Sequence, residues 1–130
     1  MSIKYLLDAS ALLALLQDEP GADVVGQQLS ASTISTVNLA EVASVLNKLG
    51  MQEAEIQHLF DDLDLPVISY DREAALTTGG IRKVTAGRGL SLGDRACLMV
   101  AKQHQYTVLT ADKVWLEYQE LLAIQITLVR

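Results

Sequence analysis

Apolar positions along the chain follow two rhythms. Residues 3–7 form a short apolar run that ends at Asp8, and Leu12, Leu13, Leu15 and Leu16 then recur at helical spacing, as when a buried strand hands over to a helix. Pro20 can open a second helix through Leu29, because proline is tolerated in a first turn. Residues 32–36 read as a strand. Leu39, Val42, Val45, Leu46 and Leu49 then repeat at helical spacing until Gly50 supplies the stop. A further helix over 52–63, a strand over 67–70 after Pro66, and a helix from Arg72 to about Lys83, weakened by Gly79 and Gly80, follow.

Residues 84–90 contain Gly87 and Gly89 and read as a loop. Ser91 starts a helix that carries Leu92, Ala96, Met99, Val100 and Gln103 on one face. Residues 107–109 predict a strand, 113–122 a helix and 124–129 a closing strand. Strands alternating with helices imply an α/β fold with a mostly parallel central sheet flanked by helices on both faces. No repeat, low-complexity tract or linker interrupts the alternation, which predicts a single domain over residues 1–130.

Composition narrows the reading. A chain of 130 residues, half of them apolar, can bury a core without staples. Sixteen acidic against ten basic residues give a net charge of −6, the wrong sign for binding nucleic acid by bulk electrostatics, so any such contact must be local. Cys97 stands alone, which excludes a disulfide framework and fits a reducing compartment. The apolar run 9–16 is too short to span a bilayer and lacks a basic flank or cleavage-like site, so a cytoplasmic protein is expected.

The chemistry sits in the acids. In open α/β sheets the functional crevice lies outside the carboxyl ends of the strands, and Asp8 and Asp112 each fall at or just past such an end. Asp94, in the first turn of a helix reached from a Gly-rich loop, and Glu41, in a helix that follows a strand, can point to the same crevice. Four carboxylates packed together raise one another's pKa and need a counter-charge, which a divalent cation supplies. Hard oxygen donors without histidine or thiolate suit Mg2+, or Mn2+ in its place, and phosphodiester hydrolysis is the natural chemistry. Each acid also has a purely structural reading. Asp8 can cap the first helix and Asp112 the last, Asp94 can complete a capping box with Ser91, and Glu41 can be an exposed helical glutamate.

These residues, in this order, resemble the PIN-domain nucleases, and most closely the VapC toxins of bacterial toxin–antitoxin pairs. YLLDASALLALLQDEPGA is similar to the family's opening strand and helix, ISTVNLAEV to its glutamate helix, LSLGDRACLMVAK to its third-acid helix and VLTADKVW to its fourth-acid turn. The resemblance implies a PIN-like three-layer sandwich and a magnesium-dependent endoribonuclease. Asp8 and Asp94 would be its principal metal ligands, Glu41 and Asp112 would complete the acidic pocket, and Ser10 and Thr110 would be the adjacent polar positions. It also implies an RNA substrate, a homodimer and inhibition by a small cognate antitoxin.

Arg82, Lys83, Arg88 and Arg95 cluster around the Gly-rich loop before Asp94 and form a candidate RNA-phosphate rim; the competing reading is a solvated loop that balances nearby acids. Trp115 could stack a splayed base, or pack its helix on the sheet. His58 and His104 show no ligand spacing. A receiver-like phosphoacceptor would carry an acidic pair where Leu7 precedes Asp8, and a haloacid dehalogenase-type phosphatase would carry aspartate where Ser10 stands. The remaining alternative is a catalytically weak PIN-fold module that only binds an antitoxin or itself.

Overall fold

The computed structural model describes residues 2–130. Strand β1 (Tyr5–Leu7) runs into helix α1 (Ala9–Leu16), with Asp8 as the residue between them. Helix α2 (Ala22–Gln28) and one 3₁₀ turn (Leu29–Ala31) lead to β2 (Ser32–Ser35), which passes directly into α3 (Thr36–Lys48). Then come α4 (Glu53–Leu63), the short β3 (Val67–Ile68), α5 (Arg72–Gly80) and a run of turns. Helix α6 (Leu92–His104), β4 (Thr107–Thr110), a 3₁₀ segment (Lys113–Tyr118), α7 (Gln119–Leu122) and β5 (Ile126–Leu128) complete the order.

All five strands are parallel, in the order β3-β2-β1-β4-β5. Side chains alternate across a strand, so in β1 and β4 the register pairs Leu6 with Val108 and Leu7 with Leu109, and the two pairs serve opposite faces. Leu6 and Val108 join the core made by α5, α6, Trp115 and α7; Leu7 and Leu109 join the core made by α1, α2, α3 and α4. The result is the three-layer α/β sandwich expected from the alternation. Among the described residues no helix is long and apolar enough to cross a membrane.

The helix predicted from Arg72 to about Lys83 ends at Gly80, and the closing strand predicted over 124–129 narrows to Ile126–Leu128. Four further elements depart from the sequence reading, each for a local reason. Pro20 lies in a turn, and α2 starts after Gly21, whose φ of +100° is left-handed. The predicted helix over 113–122 opens as a 3₁₀ segment, because buried Trp115 and Tyr118 stand three residues apart and a three-residue turn aligns them. The strand predicted over 67–70 shortens to two residues, since Tyr70 turns away to donate its N–H to Thr36 Oγ1. Finally, α6 does not bury one face: Ala96 to Ala101 are all buried, as befits a helix packed among sheet and helices, whereas Leu92 is 63 % exposed.

Gly21 holds the closing strand against α2. A Cβ there would meet the backbone oxygen of Val129 at 2.8 Å, and the left-handed φ would strain any other residue. Gly21→Ala is expected to lower the urea midpoint by an amount worth about 2 kcal/mol, with an unchanged slope. An unaltered midpoint would show that the 20–22 turn relaxes freely.

Candidate active site

Asp8 closes β1 and caps α1, its Oδ1 accepting the N–H of Ala11 at 2.8 Å. The same carboxylate receives the hydroxyl of Thr110, at the end of β4, at 2.6 Å, and that of Ser10 at 2.8 and 2.9 Å. Ser10 in turn accepts the Ala111 N–H at 2.9 Å, so one carboxylate ties together two adjacent strand ends and a helix start. Asp8 is only 4 % exposed. Burial without a cationic partner pushes its pKa up to about 6; the hydrogen bonds from Thr110, Ala11 and Ser10 pull the other way, and the nearby Asp94 adds to the rise.

Asp94 sits in the first turn of α6 inside a capping box: its Oδ2 accepts the Ser91 N–H at 3.0 Å while Ser91 Oγ accepts the Asp94 N–H at 3.1 Å. The structural reading of Asp94 is therefore correct, and it leaves Oδ1 without a hydrogen bond. Glu41 projects from α3 toward the same helix start, with its carboxylate against the Cα of Gly93. Asn38, one helical turn earlier and 1 % exposed, holds it: Nδ2 donates to Glu41 Oε1 at 2.6 Å and to the Gly93 carbonyl at 3.3 Å. Asn38 was missed in the sequence, although its i, i+3 spacing to a helical glutamate was a usable signal. Gly93 was missed as well; no residue with a Cβ would leave room for that carboxylate.

The Cys97 thiol is fully buried in α6, the helix that carries Asp94; burial pushes its pKa well up, and the charges of Asp8, Asp94 and Glu41 raise it further. Asp112 stands apart. It is exposed, caps the 3₁₀ segment through the Val114 N–H at 3.0 Å, and reaches the group only through Thr110, whose Oγ1 accepts its N–H at 3.1 Å.

Of the basic residues, Arg88 pairs with Glu117 at 2.7 Å and Arg95 folds back onto the Thr78 carbonyl at 3.3 Å, while Arg82 and Lys83 are exposed. Trp115 is 1 % exposed within the core, so it packs rather than stacks on a ligand.

Among the described residues no three histidine, cysteine or carboxylate side chains close on one point as a protein-only metal cage. The donor set fits a hard divalent ion that retains waters: every candidate ligand is a carboxylate oxygen, and among the described residues no cation stands beside the buried Asp8. It does not fit a closed tetrahedral zinc site.

A three-layer sandwich of parallel strands with carboxylates at their carboxyl edge is the class that fold and site define. The PIN domain family pattern matches residues 5–121, and the chain belongs to the PIN-domain family. No curated protein matches it in sequence. Among solved structures it is similar to the DNA-bound VapBC of Salmonella typhimurium, at 22 % identity over 98 % of this chain and 99 % of that one, with a TM-score of 0.75. The promoter-bound VapBC2 of Rickettsia felis gives 18 %, 98 % of each chain and 0.72. The sarcin–ricin loop cleaving toxin VapC20 of Mycobacterium tuberculosis gives 16 %, 85 % and 91 %, and 0.68.

The folded protein favours neutral Asp8, so the stability this brings is full below the ordinary aspartate value of 3.8 and is lost as pH rises through about 6. In metal-free protein, Asp8→Asn should therefore raise Tm at pH 8, by up to about 3 kcal/mol of stability, with the gap closing near pH 4. A gap that does not vary with pH in melts across that range would contradict the buried charge. Gly93→Ala should fold normally yet displace the Glu41 carboxylate from Asn38, weakening divalent-ion binding about tenfold or more by calorimetry; unchanged affinity would remove Glu41 from the ion's surroundings.

Proposed function

We propose that this protein is a metal-dependent endoribonuclease and the toxin of a toxin–antitoxin pair. The observation that carries the reading is the buried Asp8 carboxylate at the carboxyl end of the central strand, with no cation beside it among the described residues, and Glu41 held by Asn38 against Gly93 at the helix start that carries Asp94. Asp8 and Asp94 would hold Mg2+, or Mn2+ in its place, with Glu41 and Asp112 completing the acidic surroundings. When bound, such an ion polarises a phosphoryl oxygen and lowers the pKa of a water, which is the chemistry phosphodiester hydrolysis needs.

The remaining work belongs to the chain's own side chains. Thr110 and Ser10 orient the Asp8 carboxylate, Asn38 fixes Glu41, and the capping box fixes Asp94, so the acids reach the reacting phosphate with little left to organise. Of the four basic residues around the Gly-rich turns, Arg82 and Lys83 are exposed and would meet RNA phosphates, and Arg88 and Arg95 would have to leave their present partners to join them. The buried Asp8 carboxyl holds a proton below about pH 6, which would compete with the ion in acid.

The structural likeness to VapBC assemblies and to a toxin–antitoxin complex from Klebsiella pneumoniae supports a small antitoxin partner. A groove of about 710 Å³ between α3 and α4, lined by Leu39, Ile56 and Phe60, is an apolar concavity such a partner could use. A homodimer and a cytoplasmic location belong to the same reading.

Mn2+ at about a hundredfold its Kd should stabilise the protein by roughly 2.7 kcal/mol, several degrees in Tm, and support cleavage of an RNA pool. Asp94→Asn should lose the shift and lower cleavage at least about a hundredfold. Growth arrest by wild type and Asp94→Asn alike, without RNA cleavage by either, would favour the binding-module reading.

A further inference from the structure

A second concavity, of about 540 Å³, opens beside the acids on the β3 side. Its walls include Thr36, Ala40, Glu41 and Ser44 from α3, Tyr70 just past the end of β3, and Leu92 in the first turn of α6. It is an open, shallow groove rather than an enclosed cleft. Leu92, 63 % exposed two residues before Asp94, is a large apolar side chain that no core packing accounts for. Among the described residues the only charged wall is Glu41 and no lysine or arginine lines the groove, so it is unsuited to a phosphate. An uncharged, flat, amphipathic group suits it.

We propose that this groove is a nucleobase subsite: one base flanking the scissile phosphate leaves its stack and lies between the Tyr70 ring and the Leu92 side chain. The inference rests on the nuclease reading above, since it is continuity with the Glu41 carboxylate that makes the occupant part of a nucleic-acid chain. The polar wall matches a base edge. Thr36 Oγ1 accepts the Tyr70 N–H at 3.1 Å and keeps its own proton to donate; Ser44 Oγ donates to the Ala40 carbonyl at 2.7 Å and keeps lone pairs to accept. Aromatic faces bind splayed bases of single-stranded RNA in this manner, tolerant of sequence, while hydroxyls on the rim grade the choice among bases. The groove therefore selects single-stranded over duplex RNA, because a paired base cannot enter it.

The test compares a short, fluorescein-labelled single-stranded RNA of mixed sequence with its fully abasic counterpart. Binding is followed by anisotropy with Ca2+ replacing Mn2+ to suppress cutting. Wild type is expected to favour the base-bearing strand by roughly tenfold. Tyr70→Leu, which keeps apolar packing but removes the aromatic face, should lose most of that preference. Tyr70→Phe should retain it, and Leu92→Ala should reduce it, with the Mn2+-induced Tm shift unchanged in all three. Equal affinity of wild type for both strands, at whatever strength, overturns the subsite, as does a preference that survives in Tyr70→Leu; a partner protein would then be the better occupant of this face. RNA-pool cleavage with Mn2+ scores the nuclease reading separately, so wild type that cuts RNA but ignores its bases would sink the subsite alone.

Discussion

The arrangement depends on one buried carboxylate. Asp8 ends the central strand, caps the first helix and takes the Thr110 hydroxyl from the neighbouring strand, so the sheet's middle, its first crossover and the acidic crevice share one set of hydrogen bonds. Removing a charge of this kind from water without a cation is costly, and the raised pKa measures that cost. The fold carries the cost because its apolar layers on both faces are continuous around β1 and β4, where Leu6, Leu7, Val108 and Leu109 are essentially inaccessible. A divalent cation would discharge the strain where it is stored.

The structural and chemical readings of the acids are compatible. Asp8, Asp94 and Asp112 all stabilise the start of a helical segment, and in doing so are placed where strands end and helices begin. A helix start orients a carboxylate with its own N–H groups and favours negative charge there. Capping occupies one oxygen of Asp94 and leaves the other available. Glu41 lacks this support, lying within α3, and receives it from the Asn38 amide and from the space left by Gly93.

Positive charge is distributed with the same economy. The site's surroundings are acidic, and two of the four arginine or lysine side chains near the Gly-rich turns are already engaged, Arg88 by Glu117 and Arg95 by the Thr78 carbonyl. Net charge and local charge thus agree that bulk electrostatic attraction does not hold a polyanion here.

The order of elements, the parallel three-layer architecture and the acids at strand ends and helix starts were legible in the sequence. Hydrophobic period and cap residues are local properties, and the right-handed crossover rule converts them into topology. Tertiary structure alone decided the rest. That Thr110 bonds Asp8 across 102 positions, that Gly93 makes room for Glu41, and that Arg88 is held by Glu117 depend on which surfaces meet. Local pattern likewise placed Leu92 on the buried face of α6, whereas the packing of α3 against the start of that helix leaves it in the open beside Glu41. Period tells which residues can share a face; only the assembled layers determine which face finds a neighbour.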